Sequence, residues 1–432
     1  VTIKKPCLGR GAPVSIDWNT AFAPRALKLT ASEIRELLKL INQPDIISFA
    51  GGIPDPALFP HAILAETFHE ILSNPATRDA ALQYSVSEGY QPLREWLAQT
   101  YLPKIGIATH ADNILITNGS QQGLEFLAKL FIGTGDRIIV TNPSYLGALQ
   151  AFSLYEPTFV TVPVQDDGVD LAALEAEMAK GAKFFYLTPD FGNPCGATVS
   201  LAQRRAMLEL AYRYGIAIIE DSAYDQLRYD GEPVPPLLAL DSDRLNQPRP
   251  LSEATAQGQV IYTGTFSKSI VPALRIGWIV APQPVLQKLV LMKQASDLHT
   301  PTLNQMAMFK VAETIIFDHA AKIRAVYRER RDAMLTALNE FMPDGVSWTE
   351  PEGGMFVWVT LPEGLDAAEI LAKSIAEIRV AFVPGAAFYP DRSGKNTIRL
   401  SFSVPPPEKV RDGIKRLGGL ITEAVAALKV DA

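Results

Sequence analysis

The run TGTFSKSIVPALRIGW, residues 263 to 278, places Lys268 between Ser267 and Ser269, with Thr263 and Thr265 before it and Arg275 after it. A lysine kept only for solubility needs no such setting. Hydroxyls and a guanidinium next to an amine can hold an anion there, and an amine so placed can attack a carbonyl. Five other stretches carry chemistry of their own. In ITNGSQQG, the backbone N–H groups at 119–121 and the Ser120 hydroxyl suit a phosphate at a helix start. In TPDFGNPCG, Asn193 precedes Pro194 and marks a turn. In IAIIEDSAYDQL, Asp221 closes a very apolar run and Tyr224 follows; such an aspartate is either a helix cap or a buried anion awaiting a cation. In NPSYLGAL, Tyr145 follows a strand end, as a core ring or as a flat face for a ligand. In NTIRLSFS, the period of two sets Ile398, Leu400 and Phe402 on one face and Arg399 on the other.

Elements of a particular kind must bring these residues together. From about 110 to 280, short apolar runs alternate with helical stretches. The expected strands lie at 114–117, 137–141, 184–189, 216–221, 259–264 and 276–282. Several are apolar throughout, as in strands buried on both faces, so an α/β unit with a mostly parallel sheet is expected. The motifs fall at strand ends, where open α/β sheets bind ligands. A helix over about 301–340 follows, then strands at 355–361, 380–385 and 396–403 with helices between and after, which reads as a smaller α+β domain. The chain has 432 residues, 47% of them hydrophobic, enough for one large core and a second smaller unit. A net charge of −7 speaks against general nucleic-acid or anionic-membrane binding. Cys7 and Cys195 are far apart and imply no disulfide framework. The five histidines, His61, His69, His110, His299 and His319, lack metal-ligand spacing, so no metal is expected. No apolar run nears the roughly 18 residues of a membrane span. A cytoplasmic protein is expected, with an organellar matrix as the alternative because the opening residues are mildly basic.

Taken singly, each motif has an ordinary reading as a turn, a loop, a cap, a core ring or an exposed arginine. Together they ask for one ligand. It needs a phosphate for Ser120, Gln121, Ser267 and Arg275, and a cationic ring for Asp221. It also needs a flat face for Tyr145, a hydroxyl for Asn193 and Tyr224, and a carbonyl for Lys268. Pyridoxal 5′-phosphate has all of these.

The sequence resembles the fold-type I pyridoxal-phosphate aminotransferases of class I/II from about residue 30 onward. It looks most like the branch holding 2-aminoadipate, kynurenine and multi-substrate aminotransferases. The resemblance is carried by IRELLKLINQPDIISFAGGIPDPALFP, QYSVSEGYQPLREWLA, ITNGSQQGLEFLAKLFIGTGD, TPDFGNPCG, EDSAYDQLRYDG, TFSKSIVPALRIGW and TIRLSFS. It implies an N-terminal arm with a substrate-covering helix over 1–60, a large cofactor-binding domain over 61–325 and a small C-terminal domain over 326–432. It also implies site roles. Lys268 is the Schiff-base lysine and proton carrier, and Asp221 partners the pyridine nitrogen. Tyr145 stacks on the ring, while Asn193 and Tyr224 bond its 3-oxygen. Ser120, Gln121, Ser267 and Arg275 hold the phosphate. Tyr84 reaches it from a second subunit, which implies a homodimer with shared sites. Arg399, with Asn193, binds the substrate α-carboxylate, and Gly51 and Gly52 let the backbone approach the substrate.

In the segment LTASEIRELLKLI, Thr30 and Glu33 have capping-box spacing. Ile34, Leu37, Leu38 and Ile41 form one apolar stripe, with Ser32 and Arg35 together off it. The resemblance makes Ser32 and Arg35 the reader of a distal substrate carboxylate, on a helix that shifts to admit apolar side chains. Expected activity is therefore ping-pong transfer of an amino group from 2-aminoadipate, glutamate, aromatic or aliphatic amino acids to a 2-oxo acid such as 2-oxoglutarate. The alternatives are a pyridoxal-phosphate lyase or decarboxylase, and a non-catalytic regulator. The pattern's start near residue 30 and the negative charge set the expectation against the regulator. Cys195, Gly192 and Val86 depart from the family's usual residues, and the first two put the packing of the 192–195 loop in question.

Overall fold

The computed structural model describes residues 16–27, 45–244 and 258–430. The large sheet is built from β2 (Ile114–Asn118), β3 (Arg137–Asn142), β4 (Thr158–Gln165), β5 (Gly168–Val169), β6 (Phe184–Leu187), β7 (Ala217–Ser222), β8 (Val260–Thr265) and β9 (Ile276–Val280). They lie in the order β2-β9-β8-β7-β6-β3-β4-β5. Only β5 and β9 run against the rest. The apolar runs form the sheet's centre because both faces are covered. Phe184, Tyr186, Ile219 and Ile261 pack on one side with the helices Ser120–Phe131 and Leu146–Ser153. Phe185, Leu187, Ile218 and Val260 pack on the other with the helix Leu201–Tyr214. Alternate residues of one strand thus enter different cores, and a one-residue slip would exchange them. The strand β4 escapes the pattern of apolar runs: it is half-exposed near the sheet edge and contains Pro163.

The small sheet is antiparallel, with β10 (Ser347–Trp348), β11 (Phe356–Thr360), β14 (Thr397–Ser401) and β13 (Val383–Pro384) in that order. One expected strand is corrected here. The run 380–385 is two pieces in two sheets. Val380–Ala381 forms β12 and pairs with β1 (Ile47–Ser48), while β13 pairs with β14. The buried Phe382 lies between them. The helix Thr302–Phe341 runs unbroken past residue 325. It packs Val311 and Ile316 into the large core and Ile323, Tyr327 and Met334 into the small one. Among the described residues no helix is long and apolar enough to cross a membrane, and no cluster of His, Cys, Asp or Glu is placed to hold a metal.

Candidate active site

A cavity of about 430 Å³ opens at the carboxyl ends of the large-sheet strands, against the small domain. Its wall brings together Gly52, Ser120, Gln121, Tyr145, Asn193, Asp221, Tyr224, Ser267, Lys268, Arg275 and Arg399. These come from seven separate stretches of chain, and the fold alone makes them neighbours.

Lys268 follows the end of β8, and its Nζ donates to the Gly52 carbonyl at 2.9 Å. Burial, then the charges of Arg399 and Arg275, push its pKa down to about 8. The amine therefore has a large neutral fraction near pH 8, the form that attacks a carbonyl.

Asp221 lies inside β7, and the next turn, Asp225–Leu227, starts beyond it, so the cap alternative falls. Its Oδ2 accepts from the Tyr186 hydroxyl at 2.8 Å and its Oδ1 from Thr263 Oγ1 at 3.0 Å. Burial raises its pKa and the two hydroxyls pull it back. Its neighbour Glu220 faces the other side of β7 and accepts from the N–H groups of Leu237 and Leu238 at 2.8 and 2.9 Å. Those N–H groups start the helix Leu237–Arg244.

The phosphate end is a helix start. Gly119 precedes the helix with a φ of 75°, and no side chain caps it. A Cβ at Gly119 would stand 2.4 Å from Arg275 Nη2, and one at Gly277 would stand 2.6 Å from Ser120 N. Two glycines therefore let the arginine and β9 close on the turn. Arg275 itself has a φ of 56°, a strained conformation for an arginine. The Ser267 backbone N–H donates to Thr265 Oγ1 at 3.1 Å, and their hydroxyls are 2.9 Å apart. Gln121 Nε2 donates to the Gly147 carbonyl at 2.7 Å, and the Tyr145 hydroxyl lies 3.4 Å from Gln121 Oε1.

Arg399 is 2% exposed, far from an exposed arginine on a half-buried sheet. The sheet face opposite Ile398 and Leu400 is turned to the cavity and covered there. Its Nη1 donates to Asn193 Oδ1 at 2.9 Å and its Nη2 to the Ala50 carbonyl at 2.7 Å. Rings of Phe356 and Phe388 lie 4.5 and 5.2 Å from the guanidinium. Burial lowers its pKa to about 10, and Nε is buried with no partner among the described residues. Burial drives the Tyr224 phenol far up, against a hydrogen bond with Asn193. A Cβ at Gly52 would meet the Phe356 ring at 3.2 Å, so the glycine keeps this wall open.

Gly192 in the questioned loop has a reason: a Cβ there would stand 2.9 Å from the Thr188 carbonyl. Cys195 is buried, and its thiol is pushed up to about 12. Tyr84 is 78% exposed and does not line the cavity of a single chain; its ring meets His299 edge-on. Ser32 and Arg35 lie outside the described residues.

Residue spacing did not single out Tyr186, Phe356 or Phe388 for the site. Each sits in an apolar stretch and reads as core until the neighbouring strands are known.

Pyridoxal phosphate fits this cavity on the structure's own terms. A buried carboxylate has hydroxyl partners and, among the described residues, no cation. An uncapped helix start faces an arginine. A lysine amine is tuned toward neutrality between them.

The family model described as aminotransferase class I and II matches residues 44–417. The chain is 46% identical to aromatic-amino-acid aminotransferase 1 of Thermococcus litoralis, over 95% of this chain and 96% of that one. It is 42% identical to the 2-aminoadipate transaminase of Thermus thermophilus, over 93% and 97%. Among solved structures, kynurenine aminotransferase of Pyrococcus horikoshii, in complex with PMP and kynurenine, superposes with a TM-score of 0.86 at 42% identity, over 95% and 98%.

Proposed function

The chain belongs to the class I and II aminotransferases, which work with pyridoxal phosphate, and on that premise we propose a broad-specificity enzyme acting on aromatic, aliphatic and dicarboxylic amino acids. The observation that carries this reading is the joint placement of Lys268, Asp221 and Arg399 on one cavity. Arg399 takes the substrate's α-carboxylate in a bidentate grip, with Asn193 already hydrogen-bonded to it. The Phe356 and Phe388 rings exclude water from that pair. Bound here, pyridoxal phosphate supplies the carbonyl that receives the amino group and the ring that draws electrons from the substrate Cα. Asp221 holds positive charge on the ring nitrogen, and Tyr145 sets the ring's plane. Ser120, Gln121, Ser267 and Arg275 anchor the phosphate. The Lys268 amine, with a large neutral fraction near pH 8, takes the proton from Cα and returns it on the other side of the transfer.

Substrate range is read from the relatives and from Arg35 and Ser32, which we assign to a distal carboxylate. The dimer is part of the same reading: Leu82, Tyr84 and Val86 form an exposed apolar run, 70%, 78% and 57% accessible, which a second copy would cover. Tyr84 then completes the partner's phosphate site.

The test is product analysis with 2-oxoglutarate and a panel of amino acids. Transfer yields the donor's 2-oxo acid and glutamate in equal amounts. Ammonia or carbon dioxide in place of glutamate would support a lyase or decarboxylase instead. Arg35→Gln should slow 2-aminoadipate while sparing leucine and phenylalanine. An equal loss for all three would remove Arg35 from substrate reading and leave the transferase reading standing.

A further inference from the structure

The roles above leave two hydroxyls unused. Tyr186 on β6 and Thr263 on β8 each donate to a different oxygen of Asp221 on the strand between them. Thr263 is Asp221's direct register partner in the sheet. Tyr186 pairs with Ile219, so its long side chain reaches diagonally toward the carboxyl end of β7. Neither position is free to drift. Both residues are 0% exposed, and the Tyr186 ring is set edge-on against Phe152 with centroids 5.3 Å apart. A core that needed only volume here would be served as well by phenylalanine and valine, without two buried hydroxyls to satisfy.

The chemistry of a shared proton shows what the hydroxyls do. Between a carboxylate and a ring nitrogen, the proton stays on the stronger base. Burial strengthens the carboxylate as a base, and each hydrogen bond donated to it weakens it again. Among the described residues no cation pairs with Asp221; the other titratable groups of the cavity wall are Tyr145, Tyr224, Lys268, Arg275 and Arg399, and Glu220 faces away. The hydroxyls are therefore the protein's own means of holding the charge. We propose that Tyr186 and Thr263 are positioning residues that keep Asp221 ionised and thereby keep the proton on the cofactor's ring nitrogen, an inference that rests on the pyridoxal-phosphate reading of the cavity.

The experiment loads the full-length protein with pyridoxal phosphate labelled with ¹⁵N in the ring and follows the nitrogen's chemical shift with pH. The wild type should show a protonated nitrogen. Tyr186→Phe should move the shift toward the unprotonated value and raise the cofactor's Kd roughly tenfold, as for loss of one hydrogen bond to a charged group. Thr263→Val should move it the same way by less, and Thr263→Ser should restore it. If Tyr186→Phe fails to fold, the Thr263 pair carries the same test. A nitrogen signal unchanged in both Tyr186→Phe and Thr263→Val, with only the melting temperature lowered, would make the two hydroxyls merely structural and overturn the proposal. A wild type that takes up no cofactor would sink the underlying reading, and this inference with it.

Discussion

Among the described residues, Lys293 is fully buried and Lys268 partly so, and the two have opposite surroundings. Lys293, in the helix Gln283–Ser296, donates to both oxygens of Asp297 at 3.1 and 3.0 Å and to Gln122 Oε1 at 2.9 Å. Asp297 in turn accepts from Gln122 Nε2 and Asn118 Nδ2. Burial lowers the lysine's pKa, and Asp297 pushes it back. Lys268 has one carbonyl partner, and the charges of Arg399 and Arg275 add to the effect of burial. The same contrast recurs within one strand. Glu220 is closed off by two backbone donors at a helix start, whereas Asp221 keeps one side open to the cavity. Burial alone does not mark a reactive group. A buried charge closed off by its partners braces the fold, and one with a side left open to a cavity is available to a ligand.

The sharpest way to break this comparison is to neutralise the two carboxylates separately. Asp221→Asn should lower the rate of amino transfer by roughly two to four orders of magnitude, the effect of losing about 3–5 kcal/mol from a buried pair. Glu220→Gln should leave the rate within a few-fold and lower the melting temperature instead. Single-turnover rates and thermal unfolding of both variants decide it. Equal rate losses would mean that the opening to the cavity does not separate the roles.

A second test uses pH on the cofactor-free protein. The folded pKa of Lys268 is depressed to about 8, below its ordinary value of 10.5. Between those values the unfolded chain binds more protons, so stability rises with pH across this window. Below pH 8 the penalty is fully present, at most about 3 kcal/mol by the size of the shift. Lys268→Met removes it. The variant's stability advantage should therefore be largest at pH 7 and fade by pH 10. A constant difference in urea unfolding across that range would contradict the tuned amine.

The smallest effect is expected at the other lysine. Lys293→Met should cost about 1–3 kcal/mol, as for buried polar groups left unpaired. Amino transfer by the folded protein should change only a few-fold. A loss of rate larger than that at Asp221 would reverse the assignments.

The legibility of these features in the sequence follows from how local each one is. The strands β6, β7 and β8 announce themselves because both their faces are buried, and their ends locate Asp221 and Lys268. The turn at Gly119 is local too, since a strand, a glycine and a helix start lie within a few residues. Alternation sets Arg399 on the face that lines the cavity, but its burial depends on what stands opposite, which one strand cannot reveal. The Tyr186 hydroxyl reaches a carboxylate on the adjacent strand, 35 residues further along the chain, so it reads as core in FFYL. The run VAFVPG has strand composition, yet it feeds two sheets because its partners arrive from residues 47–48 and 397–401. Tertiary pairing, not propensity, decides such cases.

The central claim is that Lys268 is the lysine that the cavity leaves free to react. The direct measurement is borohydride reduction of the cofactor-loaded protein, followed by proteolysis and mass mapping of every lysine peptide. The pyridoxyl group should appear on the peptide carrying Lys268, in about one copy per chain, and Lys293 should be unmodified. Labelling of Lys293 or of a surface lysine in place of Lys268 would contradict the account.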